Sequence, residues 1–209
     1  MKSVAVLGLG KVGALAAELL KASGFDVVGY DQSPRTSSDL PFPVASLDVT
    51  DTVALDAVLS DTDAVLSCLP YFLNKSLAEL AHKHGIHYFD LTEDVPTTQA
   101  IRDLAKTSKG VMAPQCGLAP GFVGIVGAHL IGQFETCRSC RLRVGALPQH
   151  PTGLMGYSFN WSPEGVVNEY LNDCEVIEEG ERKWVSPMEW VEQIVISGLE
   201  LEAFTTSGG

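Results

Sequence analysis

The sequence predicts an α/β protein: a doubly wound parallel sheet over residues 1–113, then a mixed α/β second domain over residues 114–209. Three observations carry this. Short apolar runs alternate with helical patterns from Ser3 to Ala113, the signature of βαβ units. A glycine-rich turn, Gly8-Leu9-Gly10-Lys11-Val12-Gly13, joins the first strand to the first helix. After the proline-bearing linker Pro114–Pro120 the pattern changes to strand-like stretches with few helices between them.

Ser3–Leu7 is a continuous apolar run, as expected for a strand buried on both faces. Lys11–Ser23 has apolar and small residues at helical spacing, and Gly24 is placed to close that helix. Asp26–Tyr30 and the weaker Pro43–Leu47 read as the next two strands. Asp51–Leu59 reads as a helix with Asp51 in its first turn, where a negative charge suits the dipole. Ala64–Cys68 and Ile86–Leu91 are strands, and the helix Leu73–His84 between them ends at Gly85. Pro96–Thr107 is a helix with proline in its first turn, and Val111–Ala113 is a sixth strand. This makes about six strands and five connecting helices. Beyond the linker, Phe122–Phe134 reads as helix. Arg141–Ala146, Met155–Trp161, Lys183–Val185 and Gln193–Phe204 carry strand signals, which an antiparallel sheet would accommodate.

Composition narrows the function classes. The chain has 209 residues, 14 basic and 26 acidic, for a net charge of −12. That balance argues against a nucleic-acid binder or a polybasic membrane-surface protein. No apolar run reaches the ~18 residues of a membrane span, and the opening residues run into glycines rather than a cleavage site. A cytoplasmic location is expected. Five cysteines are too few and odd in number for a disulfide scaffold, and Cys137 and Cys140 are expected to be reduced structural thiols. No metal site is expected, since His82 and His84 stand two apart and so on different faces of their helix.

The chemistry is concentrated where strands end. The motif Gly8-x-Gly10-x-x-Gly13 follows a strand and opens a helix, and Asp31 lies 23 residues after Gly8 at the end of the next strand. That is the context of a dinucleotide fingerprint, with Lys11 and Val12 inside the loop. Gly8 allows the tight turn, Gly10 lets a pyrophosphate approach the backbone, and Gly13 lets helix and strand pack. Asp31 can accept from both ribose hydroxyls and repel a 2′-phosphate, which favours NAD. Arg35 nearby weakens that preference, so NADP is possible. Asp48 and Val49 stand where an adenine would lie, or else Asp48 caps the next helix. Ser67, Cys68, Leu69 and Pro70 end the fourth strand, where the sheet order is expected to reverse, and should line the nicotinamide end. Tyr71-x-x-x-Lys75 has short-chain dehydrogenase spacing but comes too early in the chain for that family, and Lys75 reads as a solvated residue. Asp90-Leu91-Thr92-Glu93-Asp94 puts three carboxylates within five residues. Crowding raises carboxyl pKa values, so one can serve as acid or base; equally, Thr92 and Asp94 can cap the next helix.

Several of these segments, with others further on, together resemble the saccharopine dehydrogenase superfamily. They are G-L-G-K-V-G, S-C-L-P-Y-F-L-N (67–74), Y-F-D-L-T-E-D (88–94), P-Q-C-G-L-A-P-G (114–121), R-V-G-A-L-P (143–148) and N-W-S-P-E-G (160–165). The resemblance is closest to the saccharopine reductase-like and lysine epsilon-dehydrogenase branch. It implies a Rossmann domain, a substrate domain that also dimerises, and NAD(P)-linked oxidation of a carbon–nitrogen bond of an amino acid such as lysine or saccharopine. It implies Asn160, Trp161 and Glu164 as substrate-pocket residues. Family members continue beyond A-F-T-T-S-G-G (203–209), so the chain is expected to be a truncated copy with an incomplete substrate domain. Such a reaction needs a neutral amine and carboxylates to hold a cation. Glu93 and Asp94 are the candidates for acid/base or amine-anchoring roles, with Tyr71 as an orienting hydroxyl. Two alternatives stand beside this reading: a nucleotide-binding protein without catalysis, and an imine reductase of polyamine or aminoadipate semialdehyde metabolism.

Overall fold

The computed structural model describes residues 2–33, 40–145, 147–153, 156–159 and 162–207. The chain divides into two compact units, Met1–Cys116 and Gly117–Gly209.

The first unit runs β1 (Ser3–Leu7), α1 (Lys11–Ala22), β2 (Asp26–Asp31), β3 (Val44–Ser46), α2 (Thr52–Ser60), β4 (Ala64–Ser67), α3 (Tyr71–His84), β5 (His87–Asp90), α4 (Val95–Ala105) and β6 (Met112–Ala113). The six strands form one parallel sheet in the order β3-β2-β1-β4-β5-β6. Four helices, not five, connect them among the described residues. The chain leaves β1 toward one edge and returns at β4 toward the other. The crevice between the carboxyl ends of these two strands is where doubly wound sheets bind ligands.

Alternation along β1 explains why both faces are covered. Val4 and Val6 belong to a cluster with Leu9, Ala17, Val27 and Phe42, and Ala5 and Leu7 to one with Leu55, Leu59, Val65, Leu77 and Tyr88. Successive side chains of a strand point to opposite faces, so an uninterrupted apolar run serves two cores. Helix ends follow local chemistry. Asp51 precedes α2 as its N-cap rather than standing inside its first turn, and accepts from the Val53 and Ala54 N–H groups. α3 begins two residues earlier than the periodicity predicts and stops at Gly85, whose φ of 69° a side chain would disfavour.

The second unit has α5 (Phe122–Ile131), α6 (Pro163–Glu169) and two separate antiparallel hairpins, β7 (Cys174–Glu178) with β8 (Glu181–Val185) and β9 (Glu192–Ile196) with β10 (Leu199–Ala203). Three expectations are corrected here. The stretch 141–145 is not a strand: Leu142, which lies against Gly127 of α5, and Val144 both stay exposed, while Arg141 and Arg143 both turn to Glu192 at 2.7 Å. Gln193–Phe204 is not one strand: Ser197 and Gly198, at φ 51° and 81°, fold it into a hairpin. The expected strand Met155–Trp161 has no regular structure over 156–159, and its other residues lie outside the described residues.

Candidate functional site

The site is built from strand ends of the first unit. β1 delivers Gly8, whose N–H donates to the Tyr30 carbonyl at 2.8 Å. Gly8 has φ 88°, and a Cβ there would lie 2.9 Å from the Cys68 carbonyl oxygen. A Cβ on Gly13 would run into the Gly8 carbonyl oxygen. Both glycines therefore serve close backbone packing of β1, α1 and β4. Gly10 differs: an added Cβ meets no protein atom within 4 Å.

Gly10 is also the N-cap of α1, with no side-chain capping bond and no acidic residue in the first turn. α2 and α4 are each capped by an aspartate, whereas α3 and α5 share with α1 the lack of a side-chain cap; what sets α1 apart is its place at the end of β1, between the tightly packed Gly8 and Gly13 and with open space at Gly10. The first N–H groups of a helix need acceptors. At α2 and α4 the protein supplies them; at α1 it leaves an open, glycine-lined, positively polarised end suited to a phosphate. Lys11 and Val12 are exposed beside it.

Asp31 closes β2 and is tied to this loop. One carboxylate oxygen accepts from the Leu9 N–H at 2.8 Å and the other from the Ser33 N–H at 3.0 Å. Arg35 lies outside the described residues. Asp48 accepts from the Thr50 N–H and hydroxyl at 2.9 and 2.7 Å, and these bonds hold its carboxyl below the usual range. Asp48 thus stabilises the turn ahead of α2, and the helix cap proper is Asp51. Val49 and Leu69 border an apolar cleft of about 480 Å³ between α2 and α3, with Leu55, Leu73 and Leu77 among its walls.

At the end of β4, Ser67 is buried and donates to Asn74 Oδ1 at 2.7 Å. Burial pushes the Cys68 thiol up to about 11, so it is a packing group and not a nucleophile at neutral pH. Pro70 precedes α3 and Tyr71 opens it, its ring edge-on to Phe72. Lys75 is exposed. After β5, Asp94 caps α4 by accepting from the Thr97 N–H at 2.9 Å. Glu93 is half-buried, and burial raises its carboxyl pKa, with Asp94 and Asp90 adding to the shift. The three carboxylates are thus unlike one another: Asp94 is a cap, Asp90 is internal, and Glu93 is the one whose charged form is disfavoured without a side-chain partner to offset it.

In the second unit, Glu164 is exposed in the first turn of α6, with Ser162 as its neighbour and N-cap. Asn160 and Trp161 lie outside the described residues. Elsewhere, Cys137 and Cys140 are exposed, His82 bonds Thr107 at 3.0 Å, and His84 bonds Asp56 at 3.0 Å. No cluster of metal-ligating residues occurs among the described residues, and none of the described helices is long and apolar enough to cross a membrane.

Comparison with known proteins settles the lineage. Residues 4–113 match the family model for the saccharopine dehydrogenase NADP binding domain, and residues 117–209 that for the saccharopine dehydrogenase C-terminal domain. The chain belongs to the saccharopine dehydrogenase family. It is 27% identical over 193 residues to the NADP(+)-dependent, L-glutamate-forming saccharopine dehydrogenase of Pyricularia oryzae, covering 86% of this chain and 42% of that one. To the Saccharomyces cerevisiae enzyme of the same name it is 29% identical over 202 residues, covering 88% and 44%. The apo structure of L-Glu-forming saccharopine dehydrogenase from Saccharomyces cerevisiae shares the fold, with a TM-score of 0.69, 22% identity, and coverage of 99% of this chain and 50% of that one. This saccharopine dehydrogenase family chain spans less than half the length of the two curated relatives.

The sequence reading missed one group. Asn74, Tyr88 and Gln115 converge on Ser67 and Asp90 at the carboxyl ends of β4 and β5. A signal was present for Asn74: it occupies the same helical stripe as Leu77, Ala78 and Ala81, all buried. A polar residue on an otherwise apolar stripe needs an internal partner.

Proposed function

We propose that the first unit holds a nicotinamide dinucleotide and that the protein is an oxidoreductase acting on a carbon–nitrogen bond of an amino acid of the lysine or saccharopine class. The observation that carries this is the uncapped, glycine-lined start of α1 in a chain belonging to the saccharopine dehydrogenase family across both halves. The residues fit the group. Gly8 and Gly13 bring α1 against β1, Gly10 leaves room for the pyrophosphate, and Lys11 and Val12 flank it. Asp48 and Val49 would border the adenine, and Cys68, Leu69 and Pro70 would lie toward the nicotinamide.

When bound, the dinucleotide takes up or delivers the hydride. The chain's residues do the rest. Glu93, whose proton affinity burial raises, takes the proton from the ammonium form of the substrate when it is ionised. Asp94 adds negative charge beside it, and Tyr71 orients the amine. Asn160, Trp161 and Glu164 would line the substrate pocket, as the family resemblance implies.

Two features bear on the choice of dinucleotide. The names of the family model and of the fungal relatives support NADP. Asp31 opposes a 2′-phosphate, and each of its oxygens has a lone pair left beyond the N–H it accepts. We infer that Asp31 restrains NADP affinity in this chain and lets NAD compete.

The test is to mix the protein with NAD or NADP and with lysine or saccharopine, and to follow the absorbance of the reduced nicotinamide. Reduction dependent on one of these amines supports the reading. Dinucleotide binding without turnover of either amine favours the non-catalytic nucleotide binder instead.

A further inference from the structure

One buried polar residue at the carboxyl end of a strand has no part in the function proposed above. Asp90 closes β5 and is completely buried. One of its oxygens accepts the Tyr88 hydroxyl at 2.7 Å. The other accepts the N–H of Thr92 at 3.0 Å and of Gln115 at 3.2 Å. Its backbone carbonyl accepts the Cys116 N–H at 2.7 Å. A single residue thus holds two segments together: the turn that carries Glu93, and the last two residues of the first unit.

Two facts set this apart from ordinary core packing. Gln115 has φ 62°, a conformation that a residue with a side chain rarely adopts, and its N–H is the one that Asp90 receives. A buried carboxylate is also costly, and apolar residues of similar volume commonly stabilise a fold at least as well. The carboxylate is kept in place by a network. The Tyr88 hydroxyl has a second acceptor in the Asn74 carbonyl at 3.4 Å, and Asn74 Oδ1 accepts from Ser67 at the end of β4.

We propose that Asp90 is a positioning residue: through the two N–H bonds at one carboxylate oxygen it sets the place of Glu93 and the course of the backbone at Gln115 and Cys116, without touching substrate or dinucleotide. Its effect on turnover rests on the function proposed above; its effect on the two backbone segments does not.

Asp90→Leu and Asp90→Asn separate the possibilities. In Asp90→Asn the amide oxygen keeps both N–H bonds, and the amide nitrogen donates to the Tyr88 hydroxyl, which turns its own hydrogen to the Asn74 carbonyl. Leucine keeps none of them. Hydrogen exchange read by NMR at the Thr92 and Gln115 amides is expected to quicken about tenfold or more in Asp90→Leu and to stay near wild type in Asp90→Asn. Dinucleotide affinity is expected to be unchanged in both. Turnover of the amine is expected to fall about a hundredfold in the leucine variant, as for a misplaced acid/base group, and to be largely retained in the asparagine variant. Unchanged exchange at both amides in Asp90→Leu, or an equal loss in Asp90→Asn, overturns the proposal. Should Asp90→Leu not fold, Asp90→Ser, too short to reach the Gln115 N–H, gives the same reading. A wild-type protein without amine turnover sinks the proposed function, while the two amides still decide the positioning claim.

Discussion

The Cβ that Gly13 lacks would collide with the carbonyl oxygen of Gly8, five residues earlier in the same turn. Gly10, between them, has open space where its Cβ would be. The three glycines of one motif therefore differ, two closing tight packing and one leaving open space at the start of α1, and substitution separates them.

Gly13→Val is expected to cost about 2 kcal/mol or more by overpacking, lowering the melting temperature by several degrees. Gly10→Val is expected to melt close to wild type yet lose dinucleotide binding. Thermal melts paired with calorimetric titration check both. A Gly10→Val protein that binds NAD and NADP normally would make the loop a turn and nothing more.

Asp31→Ser is expected to raise the ratio of NADP to NAD affinity about tenfold, or roughly 1.4 kcal/mol, by removing the charge that faces a 2′-phosphate. The measurement is the pair of dissociation constants for each protein. An unchanged ratio would assign cofactor choice to residues other than Asp31.

Asp94→Ala is expected to cost about 1 kcal/mol of stability through loss of the α4 cap, whereas Asp94→Asn, which still accepts from the Thr97 N–H, is expected to cost far less. Chemical denaturation reads the difference. Turnover of Asp94→Asn then reports the charge apart from the cap.

Burial raises the Glu93 carboxyl above its ordinary value of 4.5. The folded protein binds that proton more tightly than the unfolded chain, so the stability Glu93 contributes is full below the unfolded value and is lost as pH rises through the folded one. Glu93→Gln lacks this loss. It is expected to become more stable than wild type as pH rises from about 4 to 7, while its turnover falls more than its dinucleotide affinity. Melting curves across that range show it; a stability gap that does not change with pH would contradict the assignment.

The first unit was legible because its elements are locally consistent. The Ser3–Leu7 run, the glycine turn and the alternation of strand with helix all point one way, and parallel strands buried on both faces leave a continuous apolar signature. The second unit was less so. The stretch 141–145 has alternating residues but pairs with no strand among the described residues, which one segment's sequence does not reveal. The β9–β10 turn was marked by Ser197-Gly198, and β7–β8 by Glu179-Gly180, both with left-handed backbone, yet a dipeptide signal competes with the apolar run around it. In the candidate site, the glycine turn between β1 and α1 followed from spacing alone. The roles of the carboxylates did not: Asp90, Glu93 and Asp94 are near neighbours in sequence, and only the alternation of β5 and the start of α4 send one inside, leave one half-buried and turn one into a cap.

The open start of α1 is the place proposed to receive a nicotinamide dinucleotide. Titration of the protein with NADH and NADPH, read by the fluorescence of the reduced nicotinamide, tests it most directly. Saturable binding of at least one, abolished in Gly10→Val at an unchanged melting temperature, is the predicted result. Failure of both to bind a folded protein, or equal binding by Gly10→Val, would contradict it.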